Sequence, residues 1–137
     1  MAQSNTEIYH EPLSDWEKWL AQQIVNIAYT IHKQLGPGLL ESVYEKCFCY
    51  ELSKRGIAFQ RQCASPIKYD ELVIDGALRI DILVENLIII ELKAQEHYHP
   101  VWEAQLLSYL KLTGKRLGYL INFHVPLMKD GIKRRIH

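Results

Sequence analysis

Apolar residues recur at helical spacing along the first part of the chain. They stand at Trp16, Leu20, Ile24, Ile27, Ile31 and Leu35. Ser14 and Glu17 have the spacing of a capping box at the start of this run, and Gly36 with Pro37 ends it. The pattern therefore predicts a long first helix between Ser14 and Gly36.

A second helical stripe follows Gly38. Its apolar members are Leu40, Val43, Tyr44, Cys47 and Phe48. The pattern continues to about Arg55, and Gly56 is a typical residue at a helix end. We therefore predict a second helix with this stripe on its buried face and Glu41 at the edge of the stripe.

The hydrophobic period changes to that of β-strands at Ile57. Short segments rich in β-formers follow, separated by Asp-Gly and Glu-Asn turn signals: IAFQRQ, PIKY, ELVI, LRIDILV and LIIIELK. They predict a meandering, mostly antiparallel sheet. Pro100 suits the first turn of a third helix, VWEAQLLSYLKL, which ends at Thr113 and Gly114. LGYLINF predicts one more buried strand, and the basic tail predicts an edge strand.

Length and composition indicate one α/β domain over residues 14–137, after an N-terminal tail over residues 1–13. Lys+Arg 16 balances Asp+Glu 16, which argues against a protein whose main role is non-specific binding of phosphate backbones. No run approaches the roughly 20 apolar residues of a membrane span. We expect a soluble, cytoplasmic protein with its three cysteines reduced.

Glu91 and Lys93 end the apolar segment LIIIELK and point to the same side of a strand, about 7 Å apart. Charges in an apolar setting cost free energy unless they are paired or bind a metal. Asp81 joins them only if it pairs with Glu91, which sets Val84 opposite Ile88 and leaves a three-residue loop. A two-residue turn would place Asp81 on the opposite face.

Two convergent carboxylates beside an ammonium would suit a hard divalent cation and phosphodiester hydrolysis. Lys93 could then orient or deprotonate an attacking water, or stabilise charge on the phosphate. The alternative is a structural pair between Glu91 and Lys93, with Asp81 at a solvated strand edge. Spacing alone leaves both open.

The order Asp81, nine residues, then Glu91-Leu92-Lys93 resembles the active-site motif of the PD-(D/E)XK nuclease superfamily. The resemblance implies a restriction-endonuclease-like αβββαβ core, here with an extra N-terminal helix. It also implies that Asp81 and Glu91 hold Mg²⁺ or Mn²⁺ with the Leu92 carbonyl, and that Lys93 is catalytic. The proline of the superfamily's name is absent, because Ile80 precedes Asp81.

Two further motifs accompany it. Gln105 and Tyr109 resemble the Q-x-x-x-Y motif of RecB-like members, and Gly38, Glu41 and Tyr44 resemble the signature of the GxxExxY proteins. By this resemblance Glu41 approaches the same site, while Gln105 and Tyr109 position the metal shell, water or substrate. Without it, Glu41 would be a first-turn glutamate favoured by the helix dipole, and the other two a surface face.

Other candidate groups have less specific patterns. The basic residues that could guide a phosphate backbone are Lys111, Lys115, Arg116, Lys133 and Arg134. The alternative is that they are charged helix ends and strand edges. His97 and His99 suggest a transition-metal site or solvated loop histidines, with His99 capping the third helix. The tryptophans suggest packing residues, or a platform for a base if one is exposed near the site.

The main hypothesis is thus a Mg²⁺- or Mn²⁺-dependent nuclease acting on DNA or RNA. The alternative is a non-catalytic domain that keeps the nuclease fold to bind nucleic acid or a protein. An intact set of Asp81, Glu91 and Lys93 favours the enzyme, since these charges would otherwise destabilise an apolar sheet. The neutral charge and small size leave little room for a DNA-binding element, which a homodimer could supply.

Overall fold

A computed structural model describes residues 11–137. The elements in chain order are α1 (Asp15–Leu35), α2 (Glu41–Lys54), β1 (Phe59–Tyr69), β2 (Leu72–Val84), β3 (Ile88–Lys93), α3 (Val101–Thr113), β4 (Leu117–Asn122), a 3-10 turn (Met128–Gly131) and β5 (Ile132–Ile136). This is the predicted αβββαβ order with an extra N-terminal helix and an edge strand at the end.

The helix ends follow the local signals in the sequence. The Ser14 hydroxyl accepts a hydrogen bond from the Glu17 N–H at 3.0 Å, and the Glu17 carboxylate accepts one from the Ser14 N–H at 2.8 Å. These reciprocal bonds are the predicted capping box of α1. At the end of α3, Gly114 has φ 75° and caps the helix in the left-handed conformation.

The buried face of α2 differs from the predicted stripe. Its buried residues are Tyr44, Glu45, Phe48, Cys49 and Leu52. Leu40 and Val43 were predicted on that face but are 74% and 37% exposed. Leu40 is the N-cap residue, outside the helix. The helix is therefore rotated so that an acidic residue, Glu45, enters the interior.

The five strands form one sheet in the order β1-β2-β3-β4-β5. All neighbours are antiparallel except β3 and β4, which are parallel because α3 crosses over between them. Helices α1 and α2 cover one face and α3 covers the other. The sheet residues under α1 and α2 include Ile82, Val84, Ile88, Ile90 and Leu92. Those grouped with α3 include Leu83, Ile89 and Leu120.

Strands β1 and β2 form one long hairpin, so the predicted short strands merge. The Asp75 and Gly76 signal was predicted to be a turn, but both residues lie inside β2. The pairing moves from Ser65↔Leu78 to Ile67↔Ile74, so the extra residues of β2 form a bulge. Gly76, with φ 65°, accommodates this bulge.

The β2–β3 hairpin has the register on which the charged cluster depends. Val84 pairs with Ile88, and Ile82 pairs with Ile90. Residues 85–87 form the predicted three-residue loop. Its first two residues have positive φ, and the Leu87 N–H donates to the Val84 carbonyl at 2.9 Å. Continued by one step, this register sets Asp81 opposite Glu91.

The tryptophans divide between surface and core. Trp102 is buried, but Trp16 and Trp19 are 46% and 41% exposed, so these two were wrongly predicted to be packing residues. They stack on each other with ring centroids 5.3 Å apart. The three cysteines are free. Within residues 11–137, no helix combines the length and apolar character needed to cross a bilayer.

Candidate active site

The acidic pair lies where the β2–β3 ladder ends. Paired residues stop at Ile82 and Ile90, and side chains replace the backbone partners beyond that point. The Glu91 carboxylate accepts from the Asp81 N–H at 2.9 Å, and the Asp81 carboxylate accepts from the Leu92 N–H at 2.8 Å. These crossed bonds use one oxygen of each carboxylate. They hold both acids against the same opening between the strands.

Burial makes these acids unusual. Glu91 is only 4% exposed, and loss of solvation, followed by repulsion from Asp81, raises its pKa to about 8. The pKa of Asp81 is also raised, mainly by desolvation, although the hydrogen bond from the Leu92 N–H opposes this. Ionisation of both acids would place two like charges close together, and a bound cation would neutralise them.

Glu41, at the first turn of α2, belongs to the same cluster. Partial desolvation raises the pKa of its carboxyl group first, and repulsion from Asp81 raises it further. Lys93 is a cation that lowers the pKa of Glu41, Asp81 and Glu91 alike. The three carboxyl groups and the ammonium therefore share one electrostatic environment.

Tyr44 fixes the loop that precedes Glu41 and α2. Its ring is fully buried and stacks on Phe123, with centroids 4.4 Å apart. Its hydroxyl donates to the Gly36 carbonyl at 2.6 Å and accepts from the Leu39 N–H at 3.1 Å. The hydroxyl thus fixes the loop between α1 and α2, and this loop determines where the first turn of α2 begins.

Lys93 lies on the α3 face of the sheet, the same side as Glu91. Its Nζ is 5.5 Å from the centroid of the Trp102 ring, within range of a cation–π contact. Gln105 and Tyr109 are on the same helix as Trp102. Gln105 Nε2 lies 3.5 Å from the Tyr109 hydroxyl, and in residues 11–137 neither side chain hydrogen-bonds to the acidic cluster.

The donor set fits a hard divalent cation with few protein ligands. Within the described chain, no three His, Cys, Asp or Glu side chains are placed to hold a metal together. Mg²⁺ needs only one or two carboxylates and takes its other oxygens from water and substrate. Asp81 and Glu91 would supply the carboxylates. The Leu92 N–H points towards β2, and so does the Leu92 carbonyl, because both groups of a strand residue face the same neighbour.

Comparison with known proteins identifies the family of the chain. The family model described as the PD-(D/E)XK nuclease superfamily matches residues 18–135. The chain belongs to the PD-(D/E)XK nuclease superfamily. A search of curated proteins and a search of solved structures each found no match. Membership confirms the predicted restriction-endonuclease-like fold, with its mixed sheet between helices.

Within this superfamily fold, the predicted basic residues do not form one surface. Three of them, Lys111, Lys115 and Arg116, lie near the start of β4, which pairs with the start of β3. Glu91 lies three residues along β3 from that start and Lys93 lies five, which is about 10 and 17 Å at the usual rise per residue. Arg116 also forms an ion pair with Glu17 at 3.7 Å.

The basic residues of β5 lie closer to the acidic cluster. Lys133 pairs with Leu120, which pairs with Glu91, so Lys133 is two strands, or about 10 Å, from Glu91. Its Nζ is 3.9 Å from the Glu103 carboxylate. Arg134 is exposed on the same edge strand.

His97 and His99 lie in the loop between β3 and α3. His99 Nδ1 accepts a hydrogen bond from the Val101 N–H at 3.3 Å, at the first residue of α3, while the N-cap residue of this helix is Pro100. No metal-binding group of three side chains includes either histidine in residues 11–137. The transition-metal alternative therefore has no support in the arrangement of this loop.

Two residues beside the cluster were missed in the sequence. Glu45 is 4% exposed and forms an ion pair with Arg61, and its charge raises the pKa of Asp81. Its position four residues after Glu41, on the same helix face, was a usable signal. Gln62 donates to the Glu45 carboxylate at 2.6 Å. No local pattern marked Gln62, because its backbone conformation depends on tertiary contacts.

Proposed function

We propose that this chain is a divalent-metal-dependent nuclease that hydrolyses phosphodiester bonds in DNA or RNA. The observation that carries the proposal is the pair of crossed hydrogen bonds that brings Asp81 and Glu91 together where β3 separates from β2, in the electrostatic environment of Lys93 and in a chain of the PD-(D/E)XK superfamily. A structural ion pair would need one carboxylate beside Lys93. When Asp81 and Glu91 are both ionised, Lys93 balances one of the two charges, and a second cation would balance the other.

Each residue of the cluster has a role in this proposal. Asp81 and Glu91 would hold Mg²⁺ or Mn²⁺ with the Leu92 carbonyl, and the crossed backbone bonds keep both carboxylates oriented. When bound, the cation would polarise the scissile phosphate and favour the attacking hydroxide. Lys93, held over Trp102, would orient the attacking water or stabilise charge developing on the phosphate.

The supporting residues come from the helices on both faces. Glu41 would bind water at the metal shell from the α2 side, because its carboxyl group already interacts with Asp81. Gln105 and Tyr109 would contact the substrate from the α3 side. The motif formed by Gly38, Glu41 and Tyr44 leads us to place the chain among the GxxExxY proteins, and the Tyr44 clamp on the loop gives this motif a physical reason.

Substrate contacts beyond the cluster would come from the basic residues already described. Lys133 and Arg134 on the edge strand are the nearest of these to the site. The three residues near the start of β4 would contact nucleic acid only if it extends beyond the cluster. They are Lys111, Lys115 and Arg116. A second copy of the chain would enlarge this surface if the protein forms a dimer.

The test is cleavage of end-labelled single-stranded DNA, double-stranded DNA and RNA in Mg²⁺, Mn²⁺ or EDTA. We expect the wild type to cleave at least one substrate with metal and none in EDTA. Lys93→Met should slow cleavage by about a hundredfold or more because the ammonium is lost while the stem still packs. Lys68→Met, in the exposed β1–β2 hairpin, is the control and should cleave normally.

Failure has two distinguishable forms. Equal rates for Lys93→Met and the wild type would remove Lys93 from the mechanism. Nucleic-acid binding by the wild type without cleavage in either metal would instead favour the non-catalytic alternative, a domain that keeps the nuclease fold for interaction.

A further inference from the structure

Gln62 has an unusual backbone conformation for a residue in the middle of a strand. Its neighbours pair regularly, Arg61 with Ile82 and Cys63 with Ile80, so the register sets Gln62 opposite Asp81. Yet Gln62 has φ 50°, in the left-handed region that costs a non-glycine residue about 1 kcal/mol or more. Such a conformation persists only when surrounding contacts hold it in place.

The side-chain amide of Gln62 shows what those contacts are. Nε2 donates to Glu45 Oε1 at 2.6 Å, and Oε1 accepts from Arg79 Nε at 2.7 Å. A carboxylate can only accept and a guanidinium can only donate, so the partners determine which amide atom is oxygen. The amide is therefore fixed at both ends, between α2 and β2.

One N–H of this amide is not used by Glu45. An amide nitrogen carries two donors, and the Gln62 amide stabilises the charged form of Asp81, which lowers the pKa of that carboxyl group. Glu45 acts in the opposite direction through its charge. The register thus sets Gln62 beside Asp81 while its amide is bonded to Glu45, which leaves the second N–H available for the Asp81 carboxylate.

We propose that Gln62 is a positioning residue that holds the Asp81 carboxylate at the metal site, and that Glu45 and Arg79 anchor Gln62. The inference rests on the proposed function and adds residues that position one of the proposed metal ligands. Buried Glu45 is held on its other side by Arg61. The network also ties β1 to the helix that carries Glu41 one turn earlier.

The loss of Gln62 should release Asp81. Without the amide, the Glu45 and Asp81 carboxylates repel each other directly, and Asp81 turns away from the Leu92 N–H that it now accepts from. Partners of metal ligands typically change metal affinity by about 10- to 100-fold when they are removed. Gln62→Ala should weaken Mn²⁺ binding to this extent.

The decisive experiment measures amide hydrogen exchange by NMR on the full-length, metal-free protein. Gln62→Ala should speed exchange of the Leu92 amide by about tenfold, the effect of losing a hydrogen bond to a charged group. The Ile90 amide, within the β2–β3 ladder, should be unchanged. Arg79→Met, at an exposed position, should act in the same direction with less risk to folding. Gln60→Ala, on the same strand, is the matched control.

Faster Leu92 exchange in either variant, with Gln60→Ala unchanged, supports the proposal. Unchanged Leu92 exchange in both variants overturns it, whatever happens to metal affinity. Mn²⁺ titration by calorimetry on the same samples tests metal binding separately from the positioning of Asp81. If the wild type binds no Mn²⁺, the proposed function fails, and the exchange of the Leu92 amide still decides whether Gln62 positions Asp81.

Discussion

Glu91 is an acid in the interior of the sheet, so its ionisation opposes folding. Its pKa is raised from 4.5 to about 8, first by desolvation and then by Asp81. Between these two pH values the folded protein keeps this proton while the unfolded chain releases it. The free energy of unfolding therefore falls as pH rises through this range, by up to about 5 kcal/mol in total.

Glu91→Gln tests this reasoning. The side-chain carbonyl of glutamine can still accept from the Asp81 N–H, but the charge is gone. We expect the variant to show little of this pH dependence and to exceed the wild type in free energy of unfolding at pH 8 by about 2–5 kcal/mol. The assay is urea unfolding in EDTA from pH 5 to 9, followed by tryptophan fluorescence.

Glu103→Gln provides a control of opposite sign. Hydrogen bonds from Tyr98 and Arg135 lower the pKa of Glu103, so its charge favours the folded state. This variant should be less stable than the wild type at neutral pH. A Glu91→Gln variant that is destabilised at pH 8, or that keeps the full pH dependence of the wild type, would contradict a proton held on Glu91 in the folded state.

Three further expectations concern the Tyr44 hydroxyl, the packing at Gly131 and the pH dependence of metal binding. Tyr44→Phe removes the hydrogen bonds to the Gly36 carbonyl and the Leu39 N–H, and it should lower the free energy of urea unfolding by about 1–3 kcal/mol. An unchanged value would contradict the role of this hydroxyl in fixing the loop between α1 and α2. In Gly131→Ala the new Cβ would clash with the Asn122 carbonyl oxygen, so we expect thermal unfolding to show a free energy of unfolding lower by more than about 2 kcal/mol. A value near that of the wild type would contradict the tight packing. Mn²⁺ should raise Tm more at pH 8 than at pH 6, because ligand carboxylates must lose their protons; equal shifts would argue against carboxylate ligation.

Local signals in the sequence predicted many of the helix and strand boundaries. The Ser14 and Glu17 capping box and the glycine at the end of α3 are local devices, and both helix ends lie where these signals stand. The β2–β3 register followed from a chemical condition: Asp81 could meet Glu91 only across a three-residue loop. That loop is present. The requirement that the two carboxyl groups meet thus predicted a register that turn propensity alone left open.

Features that depend on distant contacts could not be predicted in this way. Asp75 with Gly76 is a strong turn signal, but the hairpin partner extends past it and converts it into a bulge. The side of α2 that enters the core depends on the position of the loop before it, so Leu40 was assigned to the wrong face. Gln62 adopts a left-handed backbone that no strand pattern indicates.

The central claim is that Asp81 and Glu91 bind a divalent cation for phosphodiester hydrolysis. The most direct test is calorimetric titration of Mg²⁺ and Mn²⁺ into the wild type, Asp81→Ala and Glu91→Ala, with Glu96→Ala as an exposed acidic control. Nucleic-acid cleavage is assayed on the same samples. We predict that binding and cleavage are lost together in the Asp81 and Glu91 variants and kept in the control. A wild type that binds neither cation, even with nucleic acid present, would contradict the claim.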